Sequence, residues 1–444
     1  MTERSTVANF TAGFFAALEE KGVPYCVLRG WQGLPEKPGR DIDIFIADRA
    51  DIKETLIGVI RSLGWNCIEK CAFDGFFTLA CYCLDGENAV ALQLDFWTRL
   101  SIRGVEWADG AEVLSDTSVH NGVRVASAGA EAAVTSVKEY MGGGRIKEKY
   151  HNRLKSLASS GRDKFLKVLA PLGKKAEELN SLIAAGDFEG ADRLGGGLKG
   201  YVFKKHPLKY TTGSIRRIFQ KAAEGGRKPG MLAAFVGPDG SGKTTIIKRE
   251  RELFAPFFAD TMVYHMRYKI LPELKTGHGF SSMKGKLNAE SPSEKPKKRS
   301  LISKLASWFV VLYYTLEFML GNRRIRRCRR KNVLVLFDRY YYDHFFQPTT
   351  RELIYPFRKL LLGLVAKPDV VIHLSADPEV VYRRKQELSA REIGEQNRVI
   401  AGLVRELPFA HTVETGDRDV DEIAKEVFAL MAKTLEEKRL KGRK

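Results

Sequence analysis

The spacing of apolar residues changes twice along the 444-residue chain and predicts three regions. Over residues 1–125, a helical spacing gives way to apolar and β-branched stretches that are typical of strands. Ser5 or Thr6 is predicted to cap the first helix, which should stop at Gly22 and Pro24. This order indicates an α+β domain. Its further elements are predicted as strands PYCVLRG and DIDIFIAD, a helix from about Asp51 to Leu63, and a hairpin of FFTLACYCL and AVALQLDFW around DGEN.

The second and third regions have different patterns. Residues 126–228 are Lys-rich helical stretches interrupted by glycine clusters at 142–144 and 195–197, which predicts a helical connector. Over residues 229–444, a strand, a glycine-rich loop and a helix are followed by the apolar strands NVLVLFD and DVVIHLS with helices between them. Such alternation predicts an α/β domain with a parallel sheet covered by helices.

Two segments interrupt the third region. Residues 272–299 are polar, basic and without period, which predicts a mobile loop. The apolar segment 301–321 has only twelve charge-free residues, between Lys304 and Glu317, where a membrane span requires about twenty. We therefore expect a buried helix beneath the sheet.

Charge is concentrated in one part of the chain. The net charge is +19, and residues 267–331 carry 17 Lys and Arg against four acids. This segment predicts an anionic partner, and the run RRIRRCRRK at 323–331 beside an apolar helix is compatible with peripheral contact to an anionic membrane. A nucleic acid is the alternative partner, although no base-stacking module is evident.

The N-terminus and the cysteines indicate the compartment. Acids at Glu3, Glu19 and Glu20 do not suit a signal peptide, so we expect a cytoplasmic protein, with the inner face of the membrane as the place of any peripheral contact. Six cysteines in such a protein suggest no disulfide framework, and the group between Cys67 and Cys83 lacks the paired spacing of a zinc site.

The stretch GPDGSGKT fits the GxxxxGK[ST] pattern of a phosphate-binding loop, between a strand and a helix. Its glycines let the backbone N–H groups wrap around phosphates, and the helix N-terminus adds positive potential. Lys243 is expected to bridge the outer phosphates of ATP, and the Thr244 hydroxyl to ligate Mg²⁺. The expected nucleotide-binding residues are Gly237, Pro238, Asp239, Gly240, Ser241, Gly242, Lys243, Thr244 and Thr245.

Two further groups are candidates for the transfer chemistry. Asp338 and Arg339 end the apolar strand VLVLF, at the carboxyl edge where parallel sheets place their sites. Asp338 suits an acceptor's proton or the Mg²⁺ shell, and Arg339 suits an anionic acceptor or the transferred phosphate. A basic cluster in a helical stretch suits a closing flap over the phosphates, or a solvated helix face. Its members are Arg383, Arg384, Lys385 and Arg391.

These elements together resemble the thymidylate kinase-like branch of P-loop kinases, over residues 231 to about 435. The resemblance rests on FVGPDGSGKTT, FDRY and LSADPEVVYRRKQE. It implies ATP and Mg²⁺, with Lys243 and Thr244 on the nucleotide, Asp338 and Arg339 on the acceptor side, and lid arginines at the transferred group. Thymidylate kinases carry an Arg-Glu-Pro-Gly-Gly type segment where this chain reads VYHMRYKILP, so the acceptor stays open.

The first region has candidate acids of its own. Alternation along DIDIF puts Asp41 and Asp43 on one strand face, where two carboxylates suit a pair of magnesium ions, and LQLDF offers Asp95 as a third. With Gly30 before them, these acids resemble the nucleotidyltransferase superfamily over about residues 20–100. Trp31 follows Gly30 where that superfamily has a small residue, a position at which its ring is able to block the incoming phosphates. Two interpretations stay open: an active transferase, or a retained scaffold that binds a substrate or partner.

Four functions follow from these features. The first is an ATP- and Mg²⁺-dependent kinase acting on a sugar or glycan hydroxyl, with a lipid-linked glycan included. This acceptor is suggested by the altered acceptor segment VYHMRYKILP and by the run RRIRRCRRK beside an apolar helix. The joined segments also resemble proteins encoded with bacterial surface polysaccharide genes. The alternatives are a nucleoside monophosphate (thymidylate) kinase, a nucleotidyltransferase with a regulatory P-loop domain, and a nucleic-acid-binding protein.

Overall fold

The computed structural model describes residues 3–86, 88–227, 229–272, 301–345, 355–384, 386 and 389–441. The chain forms two compact units, residues 1–224 and 225–444, and each is described by itself. Residues 126–224 of the predicted connector therefore belong to the first unit.

Within the described part of the first unit, seven strands form one mixed sheet in the order β3-β4-β5-β2-β1-β9-β8. The strands β2 and β5 run parallel, and β1 runs parallel to β9, whereas the other neighbours are antiparallel. A short separate hairpin, β6 and β7, lies between β5 and β8 in the sequence. The bounds are β1 Tyr25–Arg29, β2 Asp41–Ile46, β3 Asn66–Phe73, β4 Phe76–Asp85, β5 Asn88–Trp97, β6 Ser101–Ile102, β7 Val105–Glu106, β8 Thr117–His120 and β9 Val123–Ala126.

Helices of the first unit complete two apolar cores. In one core, α1 and α2 pack against the sheet. The other core contains residues from each of the five helices α4, α5, α6, α7 and α8. The helices are α1 Glu3–Glu20, α2 Ile52–Ser62, α3 Gly110–Ser115, α4 Ala128–Gly142, α5 His151–Ser160, α6 Arg162–Val168, α7 Lys174–Ala185, α8 Phe188–Lys205 and α9 Pro207–Gly226.

The predicted elements of this unit are mostly confirmed. The strands β1 and β2, the helix α2 and the hairpin β4–β5 lie where the pattern placed them. Two details are wrong. The first helix begins at Glu3, so Ser5 and Thr6 lie within it and do not cap it. The glycines 195–197 lie inside α8 and do not interrupt the helices, because Gly195 is buried against the ring of Tyr140.

In the described part of the second unit, five parallel strands form a sheet in the order β11-β12-β10-β13-β14. The predicted parallel sheet is thus confirmed. Because all strands point the same way, their carboxyl ends meet at one edge, beside the loop after β10. The bounds are β10 Met231–Val236, β11 Asp260–His265, β12 Val333–Asp338, β13 Val370–Ser375 and β14 Ala410–Glu414.

Helices cover this sheet on both faces. The first and last of them, α10 and α15, pack together, and the ring of Phe254, directly after α10, contacts that of Phe428. On the other face, α11 and α14 pack on alternate residues of β10, β12 and β13. The helices are α10 Lys243–Leu253, α11 Leu301–Arg330, α12 Arg358–Leu364, α13 Pro378–Arg384, α14 Ala390–Arg405 and α15 Val420–Lys441.

The helix α11 is only partly buried. Val311, Phe318 and Ile325 pack into the core, whereas an opposite stripe is exposed. The prediction of a buried helix is therefore wrong for that stripe, which consists of Phe309, Leu312, Leu316, Met319 and Leu320. No helix within the described ranges combines the length and the apolar character that crossing a bilayer demands.

The basic segment 267–331 is described only in part. The run 323–331 forms the last turns of α11 and the residue after it, with Ile325 and Cys328 buried. The arginines Arg323, Arg324, Arg326 and Arg327 are exposed on that helix end. The predicted mobile loop, from residue 273 onward, lies outside the described residues.

Candidate functional sites

The loop between β10 and α10 has the backbone of an anion-binding turn. Gly240 and Gly242 have φ angles of 90° and 88°, and Gly242 is the N-cap of α10. Gly237 has a φ of 150°, and a Cβ atom there would lie 2.5 Å from the carbonyl oxygen of Leu374. Only glycine fits that close approach of two backbones. The loop thus directs the N-terminus of α10 toward the carboxyl edge of the sheet, where a phosphate is favoured.

Lys243 lies at the base of this loop and is almost completely buried. Its ammonium group donates to the carbonyl oxygens of Gly237 at 2.9 Å and Pro238 at 2.7 Å. The backbone carbonyls of the loop therefore hold the lysine ammonium inside the turn.

Asp338 connects the neighbouring strand to the loop. Its Oδ2 accepts a hydrogen bond from the Thr244 hydroxyl at 3.1 Å and lies 3.2 Å from Nδ1 of His265. Its other oxygen, Oδ1, is buried and has no hydrogen-bond partner among the described residues. A buried carboxylate oxygen without a donor is costly, and a cation would satisfy it.

Arg339 follows Asp338 in a left-handed conformation, with a φ of 66°. Its N–H donates to the carbonyl oxygen of Phe235 at 3.0 Å, which holds the turn against β10. Its guanidinium contacts the carboxylates of Asp239 and, at 3.4 Å, Asp343. Two acids therefore engage this arginine and fix its direction.

Asp343 is buried at the same place, four residues after Arg339. Burial raises its pKa to about 6, although the charges of Arg339 and Lys243 oppose that rise. The Asp343 carboxyl is therefore half-ionised near pH 6 and mostly ionised at neutral pH.

Several of these residues line one cleft of about 530 Å³, whereas Gly237, Pro238 and Asp343 are not among the described residues of its wall. The phosphate-binding loop, His265, Asp338 and Arg339 form one part of its wall. The remainder comes from the ends of α13 and β14 and the start of α15, through Arg384, Thr415, Arg418, Val420 and Ile423.

The structure separates the predicted lid arginines. Arg384 lines the cleft and donates to the carbonyl oxygen of Gly416. Arg383 is exposed, and Arg391 pairs with Glu395 at 3.5 Å on the surface of α14. Neither of these two arginines is among the described residues of the cleft wall. Lys385 lies outside the described residues.

Three acids also converge in the first unit. Asp41 and Asp43 lie on β2, and Asp43 is in register with Asp95 on β5. One carboxylate oxygen from each lies within 4.8 Å of the others. Burial, reinforced by the charge of Asp43, raises the pKa of Asp95, while Thr78 donates to it at 2.7 Å and opposes the rise.

Asp43 already has basic partners at both oxygens. The Lys138 ammonium lies 2.5 Å from Oδ1, and the Arg29 guanidinium donates to Oδ2 at 2.9 Å. Burial alone would raise the pKa of Asp43, but these two charges hold it below its ordinary value. The three acids are close enough for a metal ion, yet as arranged they do not fit the predicted pair of magnesium ions, because Lys138 neutralises their central member.

Trp31 belongs to a neighbouring cluster in the first unit. Its indole N–H donates to Glu131 at 2.9 Å, and the guanidinium of Arg153 lies 5.2 Å from its ring centre. Arg153 also donates two hydrogen bonds to the same carboxylate, at 2.6 and 2.7 Å. These contacts fix the indole in place beside Gly30, where the sequence predicted an obstruction.

Sequence reasoning missed His265, Thr415 and Arg418 in the cleft wall of the second unit, and Asp343 beside Arg339. His265 is the exposed last residue of β11, and Asp343 lies in the FDRYYYD stretch without a motif of its own. Thr415 and Arg418 follow β14 and reach the cleft only through the strand order. The positions of His265 and Thr415 at the carboxyl ends of β11 and β14 are the signal that pointed to Asp338 as well.

No protein-family model matches the chain, and no curated protein matches it. Among solved structures, it is similar to a thymidylate kinase from Ehrlichia chaffeensis, with 15% sequence identity over 46% of this chain and 98% of that one, and a TM-score of 0.29. A likeness at that TM-score is too slight to carry a conclusion about fold or function, so both depend on the geometry above.

Proposed function

We propose that the second unit is an ATP- and Mg²⁺-dependent phosphotransferase. The contact that carries this proposal is the hydrogen bond of 3.1 Å between the Thr244 hydroxyl and Asp338, which joins the GPDGSGKT loop to the end of the adjacent strand. A hydroxyl and a carboxylate at that position are the pair that holds magnesium beside a nucleoside triphosphate.

The two ends of the cleft differ in chemistry, and this difference suggests which end would bind the phosphates and which the base. The loop amides and the α10 N-terminus would hold the phosphates, with Lys243 turning from the Gly237 and Pro238 carbonyls to the outer phosphate oxygens. The end formed by Arg384, Thr415 and Ile423 would take the base, because a guanidinium and an apolar side chain suit its flat face.

Thr244 and the unpartnered oxygen of Asp338 suit Mg²⁺, a cation that prefers oxygen ligands. When bound, that ion would supply charge neutralisation for the phosphate oxygens.

The acceptor is proposed to be a hydroxyl. A phosphate acceptor would require a free cation beside Asp338, and Arg339 is engaged by Asp239 and Asp343. His265 is largely exposed in the cleft, and Asp338 holds its Nδ1, so Nε2 is the ring nitrogen that remains for an acceptor proton.

Transfer is an in-line displacement at the γ-phosphorus of ATP. His265 Nε2 takes the proton of the acceptor hydroxyl as its oxygen forms a bond to the γ-phosphorus. The bond from that phosphorus to the bridging oxygen breaks, and ADP leaves with the electron pair. We propose a sugar or glycan hydroxyl, including a lipid-linked glycan, as the acceptor class.

The test is transfer from γ-labelled ATP to fractionated cell extract, followed by mass analysis for a gain of about 80 Da, one phosphoryl group. A pure panel of sugars, glycans and nucleoside monophosphates then identifies the class. Transfer to monophosphates alone would replace the hydroxyl acceptor with a nucleotide. The Lys243→Ala variant is the control and should lose transfer.

The same assay separates the two units. If nucleotidyl transfer were the chemistry, Asp41→Asn with Asp43→Asn would abolish product while Lys243→Ala spared it. That pattern would overturn the proposal and assign the reaction to the first unit. Salt-dependent binding to DNA or RNA without any transfer would instead favour the nucleic-acid alternative.

A further inference from the structure

The outward face of α9 carries large apolar side chains that are exposed in the described structure. Leu208, Ile218 and Phe219 are 82%, 64% and 71% exposed, and Ile215 is 49% exposed. Because a helix turns by about 100° per residue, these four positions fall within an arc of about 100°. They form one continuous apolar stripe, and the whole helix has no buried residue.

The opposite face of α9 is held against the first unit. A Cβ atom at Gly213 would collide with the backbone carbonyl of Arg103, so the two backbones are in close contact. The Arg217 guanidinium lies 5.3 Å from the ring centre of Phe73. The helix is therefore anchored on one side, and its apolar stripe is a defined surface.

Positive charge surrounds the stripe. From residue 204 to residue 227 the sequence has seven Lys and Arg and a single acid, Glu224. At helical spacing, Lys209 and Arg216 lie along one edge of the stripe and Lys221 lies along the other. Two such faces would bring like charges together, which disfavours a second copy of this chain as the occupant. A nucleic acid would leave the apolar stripe in water.

We propose that α9 lies in the surface of a bilayer that contains anionic lipids, with Leu208, Ile215, Ile218 and Phe219 in the acyl region. An apolar stripe between basic edges is the pattern of helices that bind in the plane of a membrane. The cations would meet lipid phosphates at the level where the stripe enters the apolar phase. This surface is independent of the phosphotransferase proposal.

The test is flotation of the full chain with large vesicles of phosphatidylcholine, with and without phosphatidylglycerol. Wild type should bind the anionic vesicles at least tenfold more tightly than the neutral ones, and added salt should weaken binding. Ile218→Ser with Phe219→Ser should reduce binding at least tenfold, and Lys209→Gln with Lys221→Gln should reduce both binding and its salt dependence.

Two matched controls locate the surface. Val119→Ser removes an exposed apolar side chain from β8, and Phe309→Ser removes one from the α11 stripe, so neither should change vesicle binding. Circular dichroism checks that all variants are folded, and Leu208→Ser provides a milder second change on the same stripe.

Unchanged vesicle binding in the Ile218 and Phe219 variant would overturn the proposal. So would loss of binding in Phe309→Ser alone. A dimer of the wild type that dissociates in Phe219→Ser, without any vesicle binding, would make the stripe an interface between copies and would also overturn it.

Discussion

The Lys138 ammonium lies 2.5 Å from Oδ1 of Asp43, at the centre of the acidic cluster in the first unit. This distance places a positive charge inside the first coordination sphere that a metal ion on Asp43 would need. The nucleotidyltransferase resemblance predicts that Asp43 is a metal ligand, whereas the structure has Lys138 at Oδ1 of that carboxylate. Substitution of Lys138 tests which of the two occupies this oxygen.

Lys138→Met should create or strengthen a divalent-cation site. Removing the ammonium frees Oδ1 of Asp43, while Arg29 stays on Oδ2 and Asp41 and Asp95 stay in place. We therefore expect Mn²⁺ to bind about tenfold or more tightly than in wild type. Titration of the nucleotide-free chain, followed by the paramagnetic signal of free Mn²⁺, measures it. The gain should vanish in Lys138→Met with Asp43→Asn. Tight, Asp43-dependent Mn²⁺ binding by wild type would show that Lys138 moves aside and would support the nucleotidyltransferase alternative.

Asp338→Asn should lower phosphoryl transfer by roughly 10²–10⁴-fold, because it weakens the contacts to both Thr244 and His265. His265→Gln should keep ATP affinity, lower kcat and change the pH profile of kcat, because the proposed proton acceptor is lost. His411→Gln is the control, since His411 is not among the described residues of the cleft wall. An unchanged pH profile in His265→Gln would remove this histidine from the transfer step.

Gly237→Ala should damage nucleotide binding. The added methyl group meets the carbonyl oxygen of Leu374, and the φ of 150° is unfavourable for any other residue. A displacement of the loop by about 1 Å is enough for roughly a 10²-fold loss in transfer. Isothermal titration with ATP and the transfer assay measure the two effects. ATP affinity equal to that of wild type would contradict the close backbone contact.

The glycines of α8 should respond differently from one another. Gly195→Ala would overlap the Tyr140 ring and should cost about 1–3 kcal/mol in the free energy of unfolding. Gly196→Ala meets no atom within 4 Å and should instead stabilise the helix by about 0.5–1 kcal/mol. Urea unfolding of the two variants provides the comparison, with each serving as the other's control. Equal effects would show that Tyr140 does not pack as described.

Asp343→Asn should change how stability depends on pH. The folded pKa of about 6 exceeds the unfolded value, so the native chain binds this proton more tightly, and wild-type stability falls as pH rises from about 4 to 6. The Asn variant has no such proton, so its stability relative to wild type should increase across that window, by an amount on the order of 1–3 kcal/mol. Chemical unfolding at several pH values, without nucleotide, measures the difference. A difference that stays constant with pH would contradict the raised pKa.

Structural features that depend on residues close together in the sequence could be predicted from it. The loop from Gly237 to Thr244 depends on local glycine positions and a flanking strand and helix, and the structure has that order. Asp338 was identified because a buried strand reads as a continuous apolar run and ends at a known edge of the sheet. The two edge strands β11 and β14 were missed, since partial exposure breaks their apolar pattern.

Features that depend on distant contacts were not predictable. The basic partners of Asp43 come from different elements, and Lys138 lies 95 residues away along the chain. The exposed stripe of α11 could not be distinguished from its buried side, because both are apolar in the sequence. The glycines of α8 read as interruptions, since nothing local indicates that Tyr140 packs against Gly195.

The contact of Arg339 with Asp239 joins two loops that are 100 residues apart in the sequence. A change at Arg339 removes this contact from Asp239, and a change at Asp239 leaves Arg339 with Asp343 alone, so substitutions at the two positions should be coupled. In relatives of this chain, we expect these two positions to change together or not at all. Relatives could then differ in the residues on the acceptor side of the cleft while they keep the contact between the loop after β10 and the end of β12.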